Sequence, residues 1–159
     1  MMGNELLDKI SEWRKVAENQ EDYFIKFALE YFTFNALLRI AYYPNRVGVR
    51  DRDLINKLKE DKKCREFVMS DNGIKRWIEQ FKNELDKKAL KNLSRNSDIR
   101  LSDAENWNNF VEAVYVIRNN LFHGYKTPDD KRDQRLVEIG YHLLKGFNSF
   151  LVKRVSNHA

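Results

Sequence analysis

Tyr23-Phe24-Ile25-Lys26-Phe27-Ala28-Leu29-Glu30-Tyr31-Phe32-Thr33-Phe34-Asn35-Ala36-Leu37-Leu38-Arg39-Ile40-Ala41-Tyr42-Tyr43 is the longest apolar-rich stretch of the chain. Its length invites comparison with a membrane span. Lys26, Glu30, Asn35 and Arg39 interrupt it, however, and charges in a bilayer core are costly. Phe24, Phe27, Tyr31, Leu38 and Tyr42 mark one helical stripe, while Ile25, Phe32, Phe34, Leu37 and Ile40 spread apolar character around it. That pattern suits a helix in the middle of a bundle. The spacing predicts a buried central helix over residues 20–43, stopped by Pro44, which cannot continue a helix and pushes its predecessor out of the α region.

The segments on either side are helical too. Leu6, Leu7, Ile10, Trp13 and Val16 predict a helix over Asn4 to Val16. After a charged connection from Arg46 to Asp53, short helices are expected over Asp53–Glu60 and Lys62–Met69, then a turn at Ser70-Asp71-Asn72-Gly73. Ile74, Trp77, Ile78, Phe81 and Leu85 give an amphipathic helix expected to reach Leu93, followed by a polar loop over Ser94 to Leu101. Ser102 and Glu105 have capping-box spacing. They open a helix carrying Trp107, Phe110, Val111, Val114, Ile117 and Leu121, which Gly124 ends. Thr127-Pro128 suits the cap and first turn of a last helix with Leu136, Ile139, Leu143, Phe147, Phe150 and Leu151. A short connection between two long helices predicts an antiparallel pair.

At 159 residues the chain fits one domain, spanning 1–159, with one core. Only six Gly and two Pro punctuate it, which favours long helices and an all-α bundle. The net charge of +5 permits a polyanionic partner without requiring one. Cys64 is the single cysteine, so neither an internal disulfide nor a thiolate zinc site is expected, and a cytoplasmic location is. Met1-Met2-Gly3-Asn4-Glu5 does not have the pattern of a signal peptide. The sequence carries no phosphate-binding loop, no dinucleotide fingerprint and no nucleophile elbow. His123, His142 and His158 lack metal-ligand spacing, so neither metal nor cofactor is expected. Asp129-Asp130 and Glu60-Asp61 are expected to be solvated charges at loops or helix ends.

The chemistry concentrates in Val114-Tyr115-Val116-Ile117-Arg118-Asn119-Asn120-Leu121-Phe122-His123-Gly124. Arg118 lies on the apolar stripe, where a guanidinium must find a partner or face a groove. His123 sits in the last turn, where the helix dipole favours imidazolium. Asn119 lies four residues before it, one turn below. Two consecutive asparagines are poor helix formers, so propensity did not select them. This segment resembles the R-x4-6-H motif of the HEPN superfamily, with four residues between Arg118 and His123. Gly124 and the leucine-rich last helix also resemble that family, and Phe32-Thr33-Phe34-Asn35-Ala36-Leu37-Leu38 does so more weakly.

The resemblance implies a HEPN-like bundle acting as a metal-independent endoribonuclease. In that reading His123 serves as base on the ribose 2′-hydroxyl or as acid for the leaving 5′-oxygen. Arg118 steadies the scissile phosphate, and Asn119 orients the histidine or contacts phosphate. Tyr125, Lys126 and Asn120 are the substrate contacts expected beside the motif, with stacking for Tyr125. Residues five apart on an ideal helix differ by about 140°, so Arg118 and His123 do not share a face. The family meets this by dimerisation, with two motifs in one cleft. The resemblance further implies RNA as partner, a toxin or defence setting, and an antitoxin, such as a nucleotidyltransferase, that blocks the cleft or modifies a nearby residue such as Tyr125. Plainer readings stand beside these. His123 caps the helix end, or Arg118 is structural, paired with Glu30 or Glu112. The domain is then a non-catalytic RNA-, nucleotide- or protein-binding module, or a helical interaction domain with a chance motif.

Overall fold

The computed structural model describes residues 2–93, 97–99, 107–124 and 129–157. Seven helices dominate them: α1 (Met2–Glu18), α2 (Tyr23–Tyr42), α3 (Asp51–Glu60), α4 (Lys62–Ser70), α5 (Asn72–Lys87), α6 (Trp107–Phe122) and α7 (Lys131–Asn157). The fold is all-α, with one small addition between α5 and α6: a two-stranded antiparallel hairpin, β1 (Leu90–Asn92) and β2 (Ser97–Ile99).

Aspartates set several helix starts. Asp22 accepts from the Phe24 amide at 2.7 Å, Asp61 from the Cys64 amide at 3.1 Å, and Asp71 from the Ile74 amide at 2.9 Å. Each satisfies an amide with no partner inside its helix. The turn expected over 70–73 therefore shrinks to Asp71 alone, which ends α4 and caps α5. Asp61 likewise separates α3 from α4. It is not the solvated charge expected there: it is buried and accepts from the Tyr42 hydroxyl at 2.7 Å and from Arg154. The last helix starts at Lys131, with the Asp130 carboxylate accepting from the Asp133 amide at 2.8 Å. Thr127-Pro128 and the Ser102/Glu105 capping box lie outside the described residues.

Helix α7 is the axis of the bundle and touches α1, α2, α4, α5 and α6. Its longest contact is with α2. Phe27 faces Gly140, and Phe34 meets Phe147 at 5.7 Å between ring centroids, so the two helices run parallel. Helix α6 runs the other way: Ile117 lies beside Gly140, and Phe110 meets Phe147 at 5.6 Å. The expected antiparallel C-terminal pair is thus formed. Fully buried rings such as Phe27, Phe34, Phe110 and Phe147 each contribute about 1.5–3 kcal/mol of burial. The expectation for α2 holds where it meets α7, α1, α3 and α6, whereas Ile25 and Phe32 face outwards. None of the described helices is long and apolar enough to cross a membrane.

The expected helix to Leu93 stops instead at Lys87, and the expected loop over 94–101 contains β2. Two distant side chains explain the change. Arg132 of α7 donates to the carbonyls of Glu84 at 3.1 Å and Lys88 at 2.6 Å, ending α5. Asn120 of α6 receives the Leu93 amide at 3.2 Å and donates to the Lys91 carbonyl at 2.9 Å, holding the β1 backbone extended.

Two glycines of α7 permit the close packing. A methyl group at Gly140 would lie 2.8 Å from Cε2 of Phe27, a fully buried ring with nowhere to move. One at Gly146 would lie 2.6 Å from Cδ1 of Ile74, the end of an aliphatic side chain that can turn about its outer bond. Overpacking costs about 1–3 kcal/mol, against roughly 1 kcal/mol that Ala gains over Gly in helix propensity. An immovable ring puts Gly140→Ala in the upper half of that range, which leaves a net loss of about 1–2 kcal/mol, more than for Gly146→Ala, in urea denaturation. A Gly140→Ala variant as stable as the wild type would contradict the parallel α2–α7 contact.

Candidate active site around Arg118

Arg118 leaves α6 one turn before the helix ends, on the side facing α2 and α3. Its Nη1 donates to Oδ1 of Asn119 at 2.9 Å and its Nη2 to Oδ2 of Asp51 at 3.2 Å. The guanidinium lies over two rings, 4.7 Å from the centroid of Phe122 and 5.5 Å from that of Tyr31. Such contacts favour a partly desolvated cation. Its side chain is 21% exposed, yet Nε is buried and has no acceptor among the described residues. The charge is therefore only partly compensated.

Asp51 opens α3, where the helix dipole favours a carboxylate. Its second oxygen accepts from Nδ2 of Asn35 at 3.0 Å and Nη2 of Arg39 at 3.4 Å. Arg39 is held in turn by Oδ1 of Asn35 at 3.0 Å and the Val49 carbonyl at 2.9 Å. One carboxylate thus lies between two guanidiniums. The acids expected for Arg118 are engaged elsewhere. Glu30 is buried against Arg14 at 3.1 Å and Asn148 at 3.1 Å. Glu112 accepts from Arg52 and, at 3.0 Å, from Lys59.

Tyr31, Phe32, Asn35, Asp51, Arg118 and Phe122 line an open hollow of about 260 Å³. Phe32 and Phe122 are 57% and 37% exposed, with centroids 5.9 Å apart, so two aromatic rings flank the hollow at the surface. Ile25, two turns before Phe32 on α2, is also exposed and extends the apolar strip. Burial pushes the Tyr31 phenol up, and the opposing Arg118 charge does not offset it, so Tyr31 stays protonated.

His123 follows at the turn beyond α6, with an exposed side chain and its amide bonded to the Asn119 carbonyl at 3.0 Å. Gly124 ends the helix as expected. Its φ of +76° is left-handed, where glycine is at ease, and its amide reaches the Leu121 carbonyl at 3.1 Å. The structure therefore brings Arg118 and Asn119 together directly, and Asn119 serves the arginine. Asn120 points the other way. It is 2% exposed, and both ends of its amide are bonded to the β1–turn backbone, which is a structural role. Tyr125 and Lys126 lie outside the described residues.

Asp51, Asn35 and Arg39 were not read as site residues from the sequence, where Asn35 and Arg39 stood out only as polar breaks in the apolar stretch. The four-residue spacing of Asn35 and Arg39 on one helix was a usable signal. Asp51 offered none, because it lies 67 positions from Arg118. Among the described residues, no three His, Cys, Asp or Glu side chains lie together as a metal site would need. No family model, curated protein or solved structure matches the chain.

Beside the hollow, Glu112 locks α6 to α3. Burial would raise its carboxyl, but hydrogen bonds from Arg52 and Lys59, and their charges, outweigh this and hold it below its ordinary value of 4.5. A depressed carboxyl stabilises the fold above its unfolded pKa, and the contribution is lost as pH falls through the folded one. Wild type should therefore exceed Glu112→Gln in stability at neutral pH, with the gap closing below about 4.5 in urea denaturation over an acid series. A gap independent of pH would contradict the charged lock.

Proposed function

We propose that this chain is a HEPN-like, metal-independent endoribonuclease that works as a homodimer. The observation that carries the reading is Arg118 itself: a costly, partly compensated guanidinium at an aromatic-rimmed surface hollow, one turn from an exposed histidine at a helix end. Sites that break a local folding rule without a packing gain are where function is expected.

In this reading Arg118 binds the scissile phosphate and the charge that builds on it in the transition state. Asn119 holds Arg118 in position. His123 takes the proton of the ribose 2′-hydroxyl, whose oxygen attacks phosphorus. The bond to the 5′-oxygen breaks, and a proton delivered to that oxygen completes the leaving group. The products are a 2′,3′-cyclic phosphate and a 5′-hydroxyl. Two copies of His123 across a two-fold supply base and acid, which also answers the poor facing of Arg118 and His123 within one helix. The exposed strip of Ile25, Phe32 and Phe122 beside the hollow supplies apolar surface for that pairing. Tyr125 and Lys126 remain the proposed RNA contacts, and a nucleotidyltransferase antitoxin the proposed regulatory partner in a cytoplasmic toxin or defence role.

One observation favours a second reading. The two terminal nitrogens of Arg118 are already engaged by Asn119 and Asp51, as suits a module that binds RNA, a nucleotide or a protein without cutting. RNA cleavage in excess chelator separates the two. The wild type should sediment as a dimer and cut, and folded His123→Ala and Arg118→Ala variants should each lose about 100-fold or more in rate. Undiminished cleavage by both variants would remove the catalytic assignment, cleavage that needs added metal would remove the mechanism, and an active monomer would remove the composite site.

A further inference from the structure

Three donors converge on one carboxylate in the hollow. Nη2 of Arg118 lies 3.2 Å from one oxygen of Asp51, and Nδ2 of Asn35 and Nη2 of Arg39 lie 3.0 and 3.4 Å from the other. A carboxylate and an RNA phosphodiester share the features that matter to such a donor set: one negative charge, two terminal oxygens, and a geometry that arginine forks match. The side chains of Arg118, Asp51 and Arg39 are 21%, 27% and 41% exposed, so an external anion can reach all three. Ion pairs this accessible are weak enough for a competing anion to replace.

We infer that Asp51 occupies the place of a single-stranded RNA phosphate, and that Arg39 is a second phosphate-binding residue beside Arg118. The inference rests on the RNA-binding part of the proposed function and adds its regulation. Strand entry swings the carboxylate out, the phosphate takes over the donors of Arg118, Arg39 and Asn35, and the Phe32 and Phe122 rings at the rim offer faces for adjoining bases. In the free protein Asp51 masks the site. A weakly bound or poorly placed anion does not displace it, so the carboxylate discriminates in favour of strands that also gain stacking.

The sign of the effect makes this testable. A residue that merely touches RNA weakens binding when altered, whereas removing an internal competitor strengthens it. Binding of a labelled 2′-O-methyl RNA, which cannot be cut by 2′-hydroxyl attack, is followed by fluorescence anisotropy over a salt series, with folding checked by circular dichroism. Asp51→Asn should bind about 5–10-fold more tightly than wild type, within the usual range of coupling between competing contacts. Arg39→Gln should bind more weakly, with the slope of log K against log salt reduced by about 1. Unchanged or weaker binding by folded Asp51→Asn would overturn the inference. So would an unchanged slope for Arg39→Gln, which carries the test alone if Asp51→Asn does not fold. Because the strand is uncuttable, the outcome is separate from catalysis. Expected binding shifts without cleavage of ordinary RNA would leave this inference standing and sink the ribonuclease reading. Cleavage without the shifts would do the reverse.

Discussion

An arginine placed on the apolar side of a core helix must be neutralised where it stands, and much of this end of the molecule is arranged around that need. Arg118 cannot retreat, because Val114 and Ile117 of the same helix are buried in the bundle. Its charge is met by Asp51, delivered by the first residue of α3, and by the neighbouring Asn119 amide. Asp51 in turn draws in Arg39 and Asn35 of α2. One cation thereby couples three helices.

That coupling works only because the helices are already close. The parallel contact of α2 with α7 over Gly140, and the antiparallel contact of α6 with α7, bring α2 and α6 onto the same helix. Helix α3 then bridges them, with Arg52 and Lys59 fastened to Glu112 and the Trp107 indole donating to the Leu58 carbonyl at 3.2 Å. The apolar packing supplies most of the stability, and the ion pairs set register and orientation. Arg118 is left at the rim, between buried aromatic surface and solvent, where a guanidinium is most sensitive to a new anion.

What the sequence disclosed follows from the range of the forces involved. The helices were legible because a helix writes its buried side every three or four residues, as in Phe27, Tyr31, Phe34 and Leu38. The antiparallel last pair was legible from the short link between two long apolar patterns. Gly124 was legible as a stop because only local backbone geometry is needed. The β1–β2 hairpin was not, since the contacts that cut short α5 come from Arg132 and Asn120 on other helices. In the candidate site, Arg118 stood out as a charge breaking an apolar stripe. Its partner did not, because an aspartate near the end of a charged connection looks like any solvated acid until the chain folds. Glu30 and Glu112 were the more visible candidates, and each proved to be held by a different cation.

The arrangement of this end of the fold and the inference that Asp51 stands in for a phosphate both depend on Asp51 holding Arg118 in solution. A double-mutant cycle in urea measures this without reference to RNA: Asp51→Ala, Arg118→Ala and the double variant, each compared with wild type. With both side chains about one-quarter exposed, a favourable coupling of about 1 kcal/mol is predicted. Losses that simply add, to within about 0.3–0.5 kcal/mol, would show that the carboxylate does not hold the guanidinium and would contradict the account at its root.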